Sequence, residues 1–280
     1  MENEMNGLPI DNLGELKESV KMCGFGDYFD TQIEGNVLTG KTAFSLDKPA
    51  QIEGDQMNYS LDIRIDQEKR KGYVNDLHAT LKEANGMERS QRFPRFLRIT
   101  AKEAYNLLKW GQDTGVEKKL FNKEGKPYRC FVSLNVNGVK DENGNYPLTQ
   151  YHERYYAKKP FVIEDALQKL TIPVKELQTN PDFVASSLRR GNMTAVTLFH
   201  NEQEEKGFLS VNAKAGKIDV RDQYYSVIET KNQSQSVSES KSQSVTQESS
   251  PEEVKKKFSP ERKVNWTQNQ HQGQRKGVGR

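Results

Sequence analysis

One stretch of this 280-residue chain sets aromatic and charged side chains close enough to do chemistry together: Gln150-Tyr151-His152-Glu153-Arg154-Tyr155-Tyr156-Ala157-Lys158-Lys159. On an extended strand, Tyr151, Glu153 and Tyr155 share one face and His152, Arg154 and Tyr156 the other. Rings beside cations suit single-stranded nucleic acid. Bases stack on Tyr151 and Tyr155 while Arg154, Lys158 and Lys159 hold phosphates. The plainer alternative is a strand whose tyrosines cover a core and whose charges are solvated. His152 and Glu153 are also where a scattered hydrolase or nuclease site would be sought, the least favoured reading.

The last thirty residues repeat the combination on a tether. Lys255, Lys256, Lys257, Arg262, Lys263, Arg275, Lys276 and Arg280 are interspersed with Phe258 and Trp266. Residues 231–280 hold 10 Lys+Arg against 5 Asp+Glu, which leaves 32 basic and 34 acidic side chains in residues 1–230. The net charge of +3 therefore belongs to the tail. A near-neutral body with a basic appendage meets an anionic partner through that appendage: DNA or RNA, an acidic protein surface, or anionic lipid. No lipidation motif or large amphipathic helix accompanies it, so lipid is the weakest of the three. The alternative is a tail that only solubilises. A patch joining Arg154, Lys158 and Lys159 to Lys118 and Lys119 would favour nucleic acid.

Other chemistries lack their residues or the setting for them. Gly35-Asn36-Val37-Leu38-Thr39-Gly40-Lys41-Thr42 has the Gly-x-x-x-x-Gly-Lys-Thr spacing, but it closes a helical piece and does not link a strand to a helix; no Gly-x-Gly-x-x-Gly occurs, so no nucleotide cofactor is expected. Gly24-Phe25-Gly26 is too short for one and reads as a turn between helices. His78, His152, His200 and His271 lie far apart and no Cys-x-x-Cys exists, so no metal is expected. No nucleophile elbow occurs. Cys130 falls on the apolar side of a strand, where burial raises a thiol's pKa and leaves it inert. With Cys23 in a separate element, two reduced thiols in the cytoplasm are expected. The N-terminus is polar and acidic, and no apolar run approaches the roughly 20 residues of a membrane-spanning helix.

The elements that must position these residues are plainest between Thr100 and Tyr156. Thr100 and Glu103 make a capping box for a helix carrying Ala101, Ala104, Tyr105, Leu107 and Leu108, which Gly111 stops. A strand follows with Tyr128, Cys130, Val132, Leu134 and Val136 on one face and Arg129, Ser133 and Asn135 on the other. Asp141-Glu142-Asn143-Gly144 turns it into a strand over Tyr146–Tyr156. Upstream, Leu13, Leu16 and Val20 mark a short helix, and Phe25, Tyr28, Phe29, Ile33 and Val37 a second helical piece. Phe44 and Leu46 mark a strand ended before Pro49. Tyr59, Leu61, Ile63 and Ile65 face inward on the next strand, opposite a partner whose Tyr73, Leu77, Ala79 and Leu81 share a face. Downstream come a helix from Phe161 broken at Pro173, and a second capped by Asn180-Pro181 with Phe183, Val184, Ser187 and Leu188 inward. A meander follows over residues 193–200, 207–213 and 217–220. Helices followed by antiparallel strands thus recur from Leu13, Thr100 and Phe161. Residues 231–250 hold eight serines and no large apolar side chain beyond Val237 and Val245, a composition too polar to order itself.

The quoted central residues also carry a resemblance. Thr100–Leu108, Asn122–Tyr128 and Gln150–Glu153, with weaker likeness at Met22–Gly26, Arg190–Asn192 and Ala195–Thr197, resemble uncharacterised accessory proteins encoded on conjugative transposons and related mobile elements of gut anaerobes. The chain departs from them at Lys109–Asp113, where a shorter Gly-Arg turn is the pattern. The resemblance implies a context near DNA or a DNA-handling protein complex and carries over no catalytic role.

The sequence thus predicts an α+β fold of antiparallel sheets, hairpins and a C-terminal meander, with short amphipathic helices and a disordered tail. Residues 8–99 and 100–229 would form two subdomains joined near Arg98–Thr100, and 230–280 the linker and basic tail. The expected function is that of a non-catalytic, cytoplasmic accessory protein making weak, sequence-independent nucleic-acid contacts. A protein–protein adaptor is the alternative.

Overall fold

The structure is a computed structural model that describes residues 10–156, 159–200 and 203–228, the side chain of His200 excepted. The fold is α+β, with three antiparallel sheets, each preceded in the chain by short helices. No described helix is long and apolar enough to cross a membrane.

Helix α1 (Leu13–Val20) passes through a π-helical turn, Lys21–Phe25, before α2 (Asp30–Leu38). Gly24, inside that turn, adopts φ +93°, a conformation that favours glycine. The sequence reads residues 25–38 as one helical piece, but the turn takes its start and leaves Tyr28 exposed, while Phe25, Phe29, Ile33 and Val37 are buried. Strands β1 (Ala43–Ile52), β2 (Asp55–Asp66), β3 (Lys71–Lys82) and β4 (Glu88–Pro94) then form a meander in sequence order. Pro49 does not end β1, because β1 is an edge strand where a missing N–H costs no ladder bond. A register shift between Leu61 and Ile63 reverses the alternation on β3, so Val74 faces the core in place of Tyr73.

Helix α3 (Ala101–Trp110) starts as its sequence specifies. The backbone N–H of Glu103 donates to the Thr100 hydroxyl, and the N–H of Thr100 donates to the Glu103 carboxylate at 2.8 Å. Its apolar side lies against β3, β4 and the next sheet, built from β5 (Val116–Phe121), β6 (Pro127–Leu134) and β7 (Leu148–His152). Leu107 and Val132 are fully buried in the same core, as the paired apolar faces require. The third unit consists of α4 (Ile163–Leu167), α5 (Lys175–Thr179) and α6 (Pro181–Arg189). They precede a meander of β8 (Thr194–His200), β9 (Gln203–Asn212) and β10 (Lys217–Arg221). Asn180 caps α6 as expected, but Phe183 stays exposed while Val184, Ser187 and Leu188 turn inward.

Strand β6 organises the interior. Cys130, Val132 and Leu134 enter a core shared with α1–α3 and the first sheet. Phe131, on the opposite face, enters a second core with α4, α6 and the meander. The sequence pattern places Ser133 outward, yet Ser133 is buried too, because β6 is covered on both faces. The strand expected over Tyr146–Tyr156 is shorter than its pattern: β7 ends at His152 and a 3₁₀ turn takes Glu153–Tyr155. The readings made for residues 230–280, and for Lys158, lie outside the described residues.

Candidate nucleic-acid interface

Register decides which side chains meet on the β5–β6 hairpin. Glu117 stands opposite Phe131, Lys119 opposite Arg129, and Phe121 opposite Pro127. All lie on the sheet face that carries Phe131. Beyond Phe131 that face leaves the second core, so Lys119, Phe121 and Arg129 open to solvent. The 3₁₀ turn after β7 brings Glu153, Arg154 and Tyr155 to the same rim, and the last turn of α6 adds Arg189.

The result is an open groove of about 1610 Å³. Its cations are Lys119, Lys123, Lys126, Arg129, Arg154 and Arg189, against the carboxylates of Glu117 and Glu153. Those carboxylates are already engaged. Arg129 reaches Glu117 at 3.6 Å and Glu153 at 3.3 Å, and Arg189 reaches Glu117 at 3.1 Å. Arg189 also pairs with Glu164. Lys126 pairs with Glu124 at 3.0 Å in full exposure, an arrangement that holds it weakly. Lys119, Lys123 and Arg154 make no ion pair among the described residues. Aromatic surface lies among these charges: Phe121 is 53% exposed and Tyr155 51%. Tyr128, which packs against the first core with its ring 5.2 Å from that of His152, borders the groove.

Of the residues expected here, Arg154 and Tyr155 reach the groove. Tyr151 does not line it; it is half-buried beside the second core, 4.8 Å from the Tyr155 ring, and burial raises its hydroxyl pKa. Lys159 is turned to Asp165, whose carboxyl it holds below the usual range. Lys118, on the other sheet face, binds Glu103 at 2.8 Å and the Arg98 carbonyl at 2.7 Å, so it leaves the patch to Lys119. Lys255, Lys256, Lys257, Phe258, Arg262, Lys263, Trp266, Arg275, Lys276 and Arg280 lie outside the described residues. The sequence reading missed Phe121, Lys123, Lys126 and Arg189. The signal available was the hairpin itself, whose strands and connecting turn all carry cations. Arg189 comes from an element with no local cue.

Cys130 is buried, and burial pushes its thiol up to about 11, so it is no nucleophile at neutral pH. Among the described residues, no three His, Cys, Asp or Glu side chains gather as a metal-ligand set. Comparison with protein-family models, with curated proteins and with solved structures finds no match.

Proposed function

We propose that this protein is a non-catalytic accessory protein that binds single-stranded nucleic acid, with the β5–β7 groove as a folded contact and the C-terminal basic residues as a second one. The observation that carries the reading is the groove's combination of three unpaired cations with exposed rings. Cations neutralise phosphates along a strand and rings stack its unpaired bases, whatever the sequence. The resemblance to proteins of conjugative transposons supports a cytoplasmic setting beside DNA and the protein complex handling it.

The test is fluorescence anisotropy on labelled oligonucleotides across a salt series. If Lys119, Lys123 and Arg154 each neutralise one phosphate and the tail about four, log K should fall against log[salt] with a slope of roughly −5 on single strands. Lys119→Glu combined with Arg154→Glu in the full chain should flatten that to roughly −3.5 and weaken binding about tenfold. Deleting residues 251–280 should remove most of the remainder. An unchanged slope in the double variant would confine binding to the tail. No binding by the full chain at low salt would overturn the proposal in favour of an adaptor.

A further inference from the structure

A second concavity opens beside the groove, between α1 with its π-turn and the segment from Phe93 to Thr100. Its volume is about 630 Å³, within the range of roughly 300–1,000 Å³ that encloses small organic bodies. Met22, Cys23 and Pro94 give it apolar surface, backed by the buried Leu61, Leu77, Phe93 and Ile99. Glu117 and Lys119 of the edge strand β5 line both, so the cleft and the groove meet across that strand.

Arg95 and Arg98 line the cleft and the adjoining surface that ends at Phe121. Neither makes an ion pair among the described residues. Instead their guanidinium groups lie 5.5 Å from the ring centroids of Tyr73 and Phe121 respectively. Arg98 has φ +51° and ψ +37°, a left-handed conformation that costs a non-glycine residue about 1 kcal/mol. The surrounding structure holds it there, with its carbonyl accepting from Lys118. Strain of this kind concentrates where a side chain must be aimed. On the opposite side stand Glu15 and Glu18, which repel a phosphate and accept from an exocyclic amino group.

An apolar slot with cations on one side and acceptors on the other matches a planar base attached to an anionic backbone. We propose that the cleft takes one unstacked base of the strand lying in the groove, with Arg95 and Arg98 on the neighbouring phosphates. This rests on the reading of the groove as a single-strand site. The phosphates are directed to the Arg95–Arg98 side, and bases that carry an amino group are favoured over thymine.

The full chain should be titrated with a twelve-residue oligodeoxycytidylate and with an abasic deoxyribose-phosphate backbone of the same length. Ser19→Trp, which fills the cleft from α1, should weaken binding of the first about tenfold and leave the second unchanged. Arg98→Gly removes the guanidinium at a position where glycine relieves the backbone. It should weaken both about threefold without lowering the unfolding midpoint. In the unmodified protein the oligonucleotide should slow alkylation of Cys23, which lines the cleft, by at least fivefold, while buried Cys130 stays unreacted. Oligonucleotide binding with equal affinity to Ser19→Trp, and with Cys23 unprotected, would overturn the inference and leave the groove standing. Failure of the unmodified chain to bind at all would remove both.

Discussion

Phe131→Ala is expected to lower stability by about 3–5 kcal/mol, the range for a buried aromatic truncated to a methyl group. Phe131 is 4% exposed, and its ring centroid lies 4.9 Å from that of Phe161. The hole would form in the second core, but its effects should cross the strand. Cys130 and Val132, the neighbours in sequence, belong to the first core. Loosening β6 from one side therefore frees the other, and Cys130 should become faster to alkylate in Phe131→Ala. Leu107→Ala, from the first core, should cost about 2–5 kcal/mol and act on the same transition. Arg129→Ala, on the exposed end of the strand, should cost less than about 1 kcal/mol. Urea unfolding monitored beside thiol labelling decides it. Continued protection of Cys130 in Phe131→Ala would mean that the two cores open independently.

The sequence was most legible where one face meets water. The alternation of Tyr59, Leu61 and Ile63 follows from the contrast between apolar and polar neighbours, and the Thr100–Glu103 capping box from a local four-residue spacing. It was least legible at β6, where Phe131 and Ser133 interrupt no pattern because both faces are covered. The bulge that exchanges Tyr73 for Val74 depends on pairing with β2, and no local signal announces it. The same limit applies to the groove. Arg154 and Tyr155 were visible as a cluster, whereas Lys119 and Arg129 meet through cross-strand register and Arg189 through the docking of α6.

Asp55→Ala should cost about 3 kcal/mol, through loss of a buried partner rather than loss of apolar packing. Asp55 sits at the start of β2. Lys109 lies at 2.9 Å, and the Tyr105 hydroxyl and the Ala84 N–H each donate to its carboxylate from 3.2 Å. Lys109 also binds Glu83 at 2.8 Å, and Arg89 binds Glu83 at 2.9 Å, so the cluster fastens the end of α3 to the first sheet. Burial alone would raise the Asp55 carboxyl, but the hydrogen bonds from Lys109 and Ala84, the Lys109 charge and the Tyr105 hydroxyl outweigh it and leave the carboxyl below its ordinary value. A depressed carboxyl contributes stability above its unfolded pKa of about 3.9 and loses it as pH falls through the folded value. Burial lowers the Lys109 ammonium, but Glu83 and Asp55 more than compensate and raise it. Its contribution is therefore present below about pH 10.4 and lost as pH rises through the folded value. The stability gap between the natural chain and Asp55→Ala should be widest between about pH 5 and pH 10 and narrow at pH 3. Urea midpoints at pH 7 and pH 3 measure it. An equal gap at both would show that the carboxylate's charge contributes nothing.

The manner in which the first sheet is covered also bears on how the chain is born. By the time Pro94 has left the ribosome, β1–β4 have every ladder partner they will ever have. Their apolar face has α1 and α2 but still lacks α3, whose Ala101 carbonyl receives the Tyr59 hydroxyl at 2.9 Å and whose Tyr105, Leu107 and Leu108 close the core. For the time it takes to make those residues, the nascent sheet is finished in its hydrogen bonds and bare on part of one side. A chaperone that recognises exposed apolar surface has its opportunity in that interval. Ribosome-arrested chains ending before and after α3 would reveal the interval as a difference in protease sensitivity.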